Sequence, residues 1–128
     1  MKELVISGNR TIPTINFNAQ HNQFLIEGRS CPEDVATFYK PVLDWLEEYQ
    51  VNPNEATVFE FKLIYFNTAT AKLLLTIMQK IEQIYNTGAD VSIKWYFPDD
   101  DEDLEETGQD YQDMIDVPFE LIAYPFED

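Results

Sequence analysis

The stretch TVFEFKLIYFN, residues 57–67, constrains the fold more than any other part of the chain. β-branched and aromatic residues fill it, and strict alternation places Phe59, Phe61, Leu63 and Tyr65 on one face and Val58, Glu60, Lys62, Ile64 and Phe66 on the other. Its second half is apolar on both faces. That pattern predicts a central strand, covered on both sides and parallel to a neighbour. The segment ATAKLLLTIMQKIEQIYNTG follows almost at once, with Leu74, Ile77, Met78, Ile81, Ile84 and Tyr85 at helical spacing and Gly88 as its stop. A strand feeding directly into an amphipathic helix is half of a βαβ unit.

The rest of the chain repeats the theme. TINFN and QFLIEG, separated by a polar loop holding the sole histidine, His21, read as a β-hairpin. Ser30 with Glu33 matches a capping box and Pro32 suits a first helical turn, so a helix is expected from there. Val35, Phe38, Tyr39, Val42, Trp45, Leu46 and Tyr49 form its apolar face, and Pro41 inside it predicts a kink between Thr37 and Pro41. VSIKWYF directs Val91, Ile93, Trp95 and Phe97 inward, and PFELIAY supplies a last strand. Residues 99–116 hold ten acids, yet Leu104, Tyr111, Met114 and Ile115 recur at helical spacing, so this acidic segment is expected to be helical. With no linker and no repeat, residues 1–128 read as a single α/β domain, a mixed sheet of about five strands backed by about three helices.

Charge excludes several functions. Twenty-four acids against eight lysines and arginines give a net charge of −16, which repels nucleic-acid phosphates and anionic lipids. No nucleic-acid or membrane partner is expected, and the start MKELVISGNR lacks the pattern of an export signal. Cys31 is the only cysteine, which fits a reducing, cytoplasmic compartment. It sits in RSCPED, beside acids and away from any histidine, a poor setting for a reactive thiol.

Enzyme signatures are missing: there is no glycine-rich phosphate loop, no nucleophile elbow, and no histidine or cysteine cluster with metal spacing. Asp99, Asp101 and Asp103 superficially resemble a calcium loop, but Leu104 stands where glycine is needed and Asp110 where glutamate is needed. Catalytic residues, metal and cofactor are therefore all expected to be none. The acidic run reads as a solvated face, or as a docking surface for a basic partner.

The turn Asn67-Thr68-Ala69-Thr70-Ala71-Lys72 remains as a candidate site. A helix start presents unpaired amide donors and a positive dipole end, so a phosphoryl group on its first hydroxyl can be accommodated, with Lys72 one turn onward to assist. Thr68 is equally a good helix cap, and Thr70 is a rival acceptor. The residues alone leave cap and switch both open.

The segments IEGRSCPEDVATFYKPVLDWLEEY, FEFKLIYFNTATAKLLLTIM and VSIKWYFPDDDEDLEETGQD resemble the SiaC family of bacterial regulatory phosphoproteins. The likeness implies a fold similar to the STAS-type anti-sigma-factor antagonists. It implies that Thr68, matching the threonine of the family's YFNT segment, is phosphorylated by a dedicated kinase and dephosphorylated by a PP2C-like phosphatase. It further implies that the unmodified form binds a partner, in the best-understood arrangement a GGDEF diguanylate cyclase that becomes active when bound and raises cyclic di-GMP. On this reading Asn67, Thr68, Ala69 and Thr70 form the contact patch, with Lys72 beside it. The alternative is a constitutive STAS-like binding module in which Thr68 only caps the helix.

Overall fold

A computed structural model describes residues 1–125; the last three residues of the expected 1–128 domain lie outside the described residues. The elements run β1 (Leu4–Ile6), β2 (Thr14–Asn18), β3 (Gln23–Ser30), α1 (Val35–Tyr49), β4 (Ala56–Phe66), α2 (Thr68–Asn86), β5 (Asp90–Pro98), α3 (Glu102–Met114) and β6 (Phe119–Tyr124). One six-stranded sheet carries the strands in sequence order, β1 to β6. The first three pair antiparallel, and β3 through β6 pair parallel. The expected mixed α/β fold with three helices is present, with one more strand than expected. The addition is β1, whose three residues are too few to carry a readable alternation.

Each parallel pair is joined by one helix, and the sheet always grows in the same direction. Right-handed crossovers repeated in one direction put every helix on the same face. There lies the core. Phe17, Phe24 and Phe59 pack under Trp45 and Tyr49 of α1, and Trp95 packs under Tyr111 of α3. Among the described residues no helix covers the opposite face, which corrects the expectation that β4 is covered on both sides. Its side chains at Val58, Glu60, Lys62 and Ile64 are half-buried, and Lys62 stands over the Tyr124 and Tyr96 rings at 4.7 and 5.9 Å.

Two helix starts differ from expectation. α1 is capped by Asp34, whose carboxylate accepts the Thr37 amide at 3.2 Å and its hydroxyl at 2.8 Å. Ser30 and Glu33 do not form a capping box, because Ser30 is claimed by the sheet, opposite Phe66. α1 continues through Pro41, which lies on its exposed side where a missing amide donor costs least. α2 stops as expected, at Thr87, with Gly88 taking the left-handed conformation (φ 96°) that glycine adopts without strain.

The acidic segment is helical, with Asp101 as cap and Glu102, Asp103 and Glu105 in the first turn, where the helix dipole favours negative charge. Leu104, Tyr111 and Ile115 are buried as expected, but Met114 is 60% exposed. Gly108 is what lets α3 close on the sheet. A Cβ there would stand 2.5 Å from Trp95 Cδ1 and 2.6 Å from Leu121 Cδ2. Leu121 can swing aside, but the Trp95 ring is 1% exposed and its Nε1 donates to the Leu104 carbonyl at 3.0 Å. Gly108→Ala should therefore destabilise by about 1–3 kcal/mol in urea unfolding, although alanine is the better helix former by about 1 kcal/mol.

Candidate functional site

At the carboxyl end of β4 the chain turns into α2 within one residue. Asn67, extended at φ −83° and ψ 173°, is the cap: its side-chain oxygen accepts the Thr70 amide at 2.8 Å, and its carbonyl accepts the Ala71 amide at 3.0 Å. Thr68 is thus the first helical residue and not the cap, which corrects the second half of the sequence reading. Its side chain is exposed, as are those of Ala69 and Lys72. Among the described residues the Thr68 and Ala69 amides have no acceptor, as expected for a first turn.

Thr70 is different. It is 0% exposed, and its hydroxyl donates to the Ser30 carbonyl at 3.0 Å with the Ser30 hydroxyl also at 3.0 Å. Ser30 Oγ in turn lies 2.7 Å from the Tyr39 hydroxyl, and the Asn67 amide donates to the Ser30 carbonyl at 3.3 Å. This buried chain of hydroxyls ties the ends of β3 and β4 to α1 and to the first turn of α2. Thr70 therefore leaves the predicted contact patch and cannot be a rival phosphate acceptor without unfolding the turn. From the other side, the Tyr111 hydroxyl of α3 donates to the Ala71 carbonyl at 2.7 Å. Thr68 projects from a turn fixed on both flanks.

Ser30, Tyr39 and Tyr111 were not legible as parts of this site. Ser30 read as a cap, and the two tyrosines read as core, with nothing in their spacing to reveal hydroxyl partners. Burial pushes the Tyr39 phenol up to about 12, and burial also raises that of Tyr111. Both stay neutral when folded, whereas the unfolded phenols ionise near about 10. Their contribution to stability is complete below that value and is lost as pH rises from about 10 to 12. Urea midpoints should fall across that window, and Tyr39→Phe should flatten the fall.

No group of three or more histidine, cysteine, aspartate or glutamate side chains is placed to hold a metal among the described residues. No described helix is long and apolar enough to cross a membrane. His21 is exposed in the β2–β3 turn, and Cys31 is half-buried with its amide donating to the Thr11 carbonyl at 2.7 Å.

Comparison with known proteins agrees with the fold. A protein of Pseudomonas aeruginosa strain UCBPP-PA14, described only as uncharacterized, is 25% identical over 97% of this chain and 98% of its own. The structure of SiaC of Pseudomonas aeruginosa superposes with a TM-score of 0.87 at 24% identity, covering 97% of this chain and all of that one. A chain from the crystal structure of the diguanylate cyclase SiaD in complex with its activator SiaC, also from Pseudomonas aeruginosa, superposes with a TM-score of 0.88 at 25% identity, covering 94% of this chain and 99% of that one. The model of the SiaC family of regulatory phosphoproteins matches residues 6–124, and the chain belongs to that family.

Proposed function

We propose that this protein is a non-enzymatic, cytoplasmic switch, a single domain that binds and activates a GGDEF diguanylate cyclase when Thr68 is unmodified and releases it when Thr68 is phosphorylated. A partner kinase adds the phosphate and a PP2C-like phosphatase removes it. One observation carries the reading: in a chain of the SiaC family, Thr68 is an exposed hydroxyl on the first residue of α2. A phosphate there meets the positive end of the helix dipole, two amides without acceptors, and Lys72 one turn on. Modification costs the fold little and changes the surface greatly. The SiaD–SiaC complex of Pseudomonas aeruginosa supports a cyclase as the partner.

Asn67, Thr68 and Ala69 form the contact patch, with Lys72 on its border. In the rival reading, a constitutive module, Thr68 is no longer the cap, because Asn67 does the capping. The direct test is phosphorylation by the cognate kinase followed by intact mass and peptide mapping. One phosphate is expected, on Thr68, and none on Thr68→Ala. Stoichiometric labelling of Thr68→Ala would overturn the assignment.

A further inference from the structure

Beside the Thr68 turn, the end of β4 and the start of α3 enclose a cleft of about 250 Å³. Ile64, Tyr65, Phe66 and Leu104 give it an apolar lining, completed by Asp101, Asp103 and Thr107. Its shape comes from a slip in the sheet: Gly28 pairs with Leu63 but Arg29 pairs with Tyr65, so Ile64 is an extra residue in β4. Without that slip Tyr65 would continue the inward row of Phe59, Phe61 and Leu63. With it, Tyr65 turns outward and is 51% exposed, while Phe66 turns in against Trp95 at 6.1 Å. Bulges re-aim side chains next to functional sites, and an exposed aromatic lining a cleft is apolar surface left for a partner to cover.

Charge is divided on the two sides of Tyr65. On the α3 side Asp103 is exposed, and the ion pairs among the described residues, Lys40 with Asp44 and Lys80 with Glu47, leave both Asp101 and Asp103 without a cation. On the other side of Tyr65 the sheet order brings Arg29 of β3, also exposed. We propose that the cleft docks an amphipathic segment of the partner protein, whose apolar side chain seats on Tyr65 and Phe66 while a lysine or arginine faces Asp101 and Asp103. The inference rests on reading the Thr68 turn as a partner contact and specifies what the partner brings to it. Thr68 follows Phe66 by two residues, on the side of Lys72. A partner complementary to that cationic side presents acidic or neutral groups there, so a phosphate on Thr68 disfavours docking while the basic contact at α3 sets orientation.

The test uses the full chain and a synthetic amphipathic peptide of leucine and lysine, with a leucine–glutamate counterpart. Amide shifts on adding the first should concentrate at 64–66 and 101–107, and the counterpart should produce none. Asp103→Lys should weaken the lysine peptide by about tenfold or more. Asp113→Lys, an equal change in net charge at the far end of α3, should weaken it by no more than about twofold, the size of general electrostatic steering. Tyr65→Ala should match Asp103→Lys while leaving charge unchanged. Shifts scattered over the whole acidic surface, or equal losses in Asp103→Lys and Asp113→Lys, would overturn the proposal. The same variants should rank identically against a diguanylate cyclase that binds the unmodified protein; an identical affinity of all three would also overturn it. If the wild-type chain binds no cyclase, the reading of function falls, and the peptide map still decides the cleft.

Discussion

Trp95→Ala should lower the stability of the chain by about 3–5 kcal/mol, the range for removing a buried aromatic, out of a total of about 5–15 kcal/mol for a domain of this size. Trp95 is the residue on which the second half of the core is assembled. It stacks on Phe61 at 6.2 Å, meets Tyr111 edge-on at 5.4 Å and Phe66 at 6.1 Å, and donates to the Leu104 carbonyl. The notch at Gly108 closes over the same ring. Its loss leaves a cavity under α3 and takes the indole donor away from the Leu104 carbonyl. The consequence extends to function, since α3 supplies both the acidic side of the cleft and the Tyr111 hydroxyl that holds the first turn of α2. Chemical unfolding followed by circular dichroism measures the first effect. Trp95→Phe, which keeps one aromatic ring but gives up the donor and part of the buried volume, should cost less, about 1–3 kcal/mol.

The second large effect is expected from phosphate on Thr68. The group adds about −1.5 to −2 charges at neutral pH to a surface whose partner meets a small hydroxyl. Only about 1.4 kcal/mol of repulsion and desolvation cost is a tenfold change in affinity, so a switch of useful size needs no rearrangement of the fold. The turn is built to remain in place: Asn67 caps it, Thr70 and Ser30 anchor it below, and Tyr111 holds its side. Phosphorylated and unmodified protein should thus show melting temperatures within a few degrees of one another while differing at least tenfold in partner affinity. Thr68→Glu should reproduce part of the loss, having a smaller charge and no tetrahedral group.

Periodicity revealed those parts of the fold in which one face of an element is buried. The α1 face from Val35 to Tyr49, the inward row Phe59, Phe61 and Leu63, and the α2 face through Ile84 are buried as the spacing required, though Phe38 and Tyr85 only partly. It failed where a tertiary choice decides. Tyr65 shares the alternation of its strand and is turned out by a pairing slip with a neighbour distant in sequence. The face of the sheet without a described helix follows from strand order, which no single strand encodes. Ser30 carries the right local pattern for a cap, yet pairing with Phe66 and the hydroxyls of Tyr39 and Thr70 take it into the sheet, leaving Asp34 to start α1. At the candidate site the turn itself was legible, because a strand running directly into a helix has few conformations. Which of its two threonines faces water was not, since Thr68 and Thr70 differ only in the direction a helical turn gives them.

A binding titration of the proposed diguanylate cyclase partner against the unmodified chain and the chain phosphorylated stoichiometrically on Thr68, with cyclase activity read in the same samples, tests the switch most directly. The unmodified chain should bind and raise cyclase activity, and the phosphorylated chain should bind at least about tenfold more weakly, with activity at the level of the cyclase alone. Equal binding and equal activation by the two forms would contradict the assignment of Thr68 as the switch.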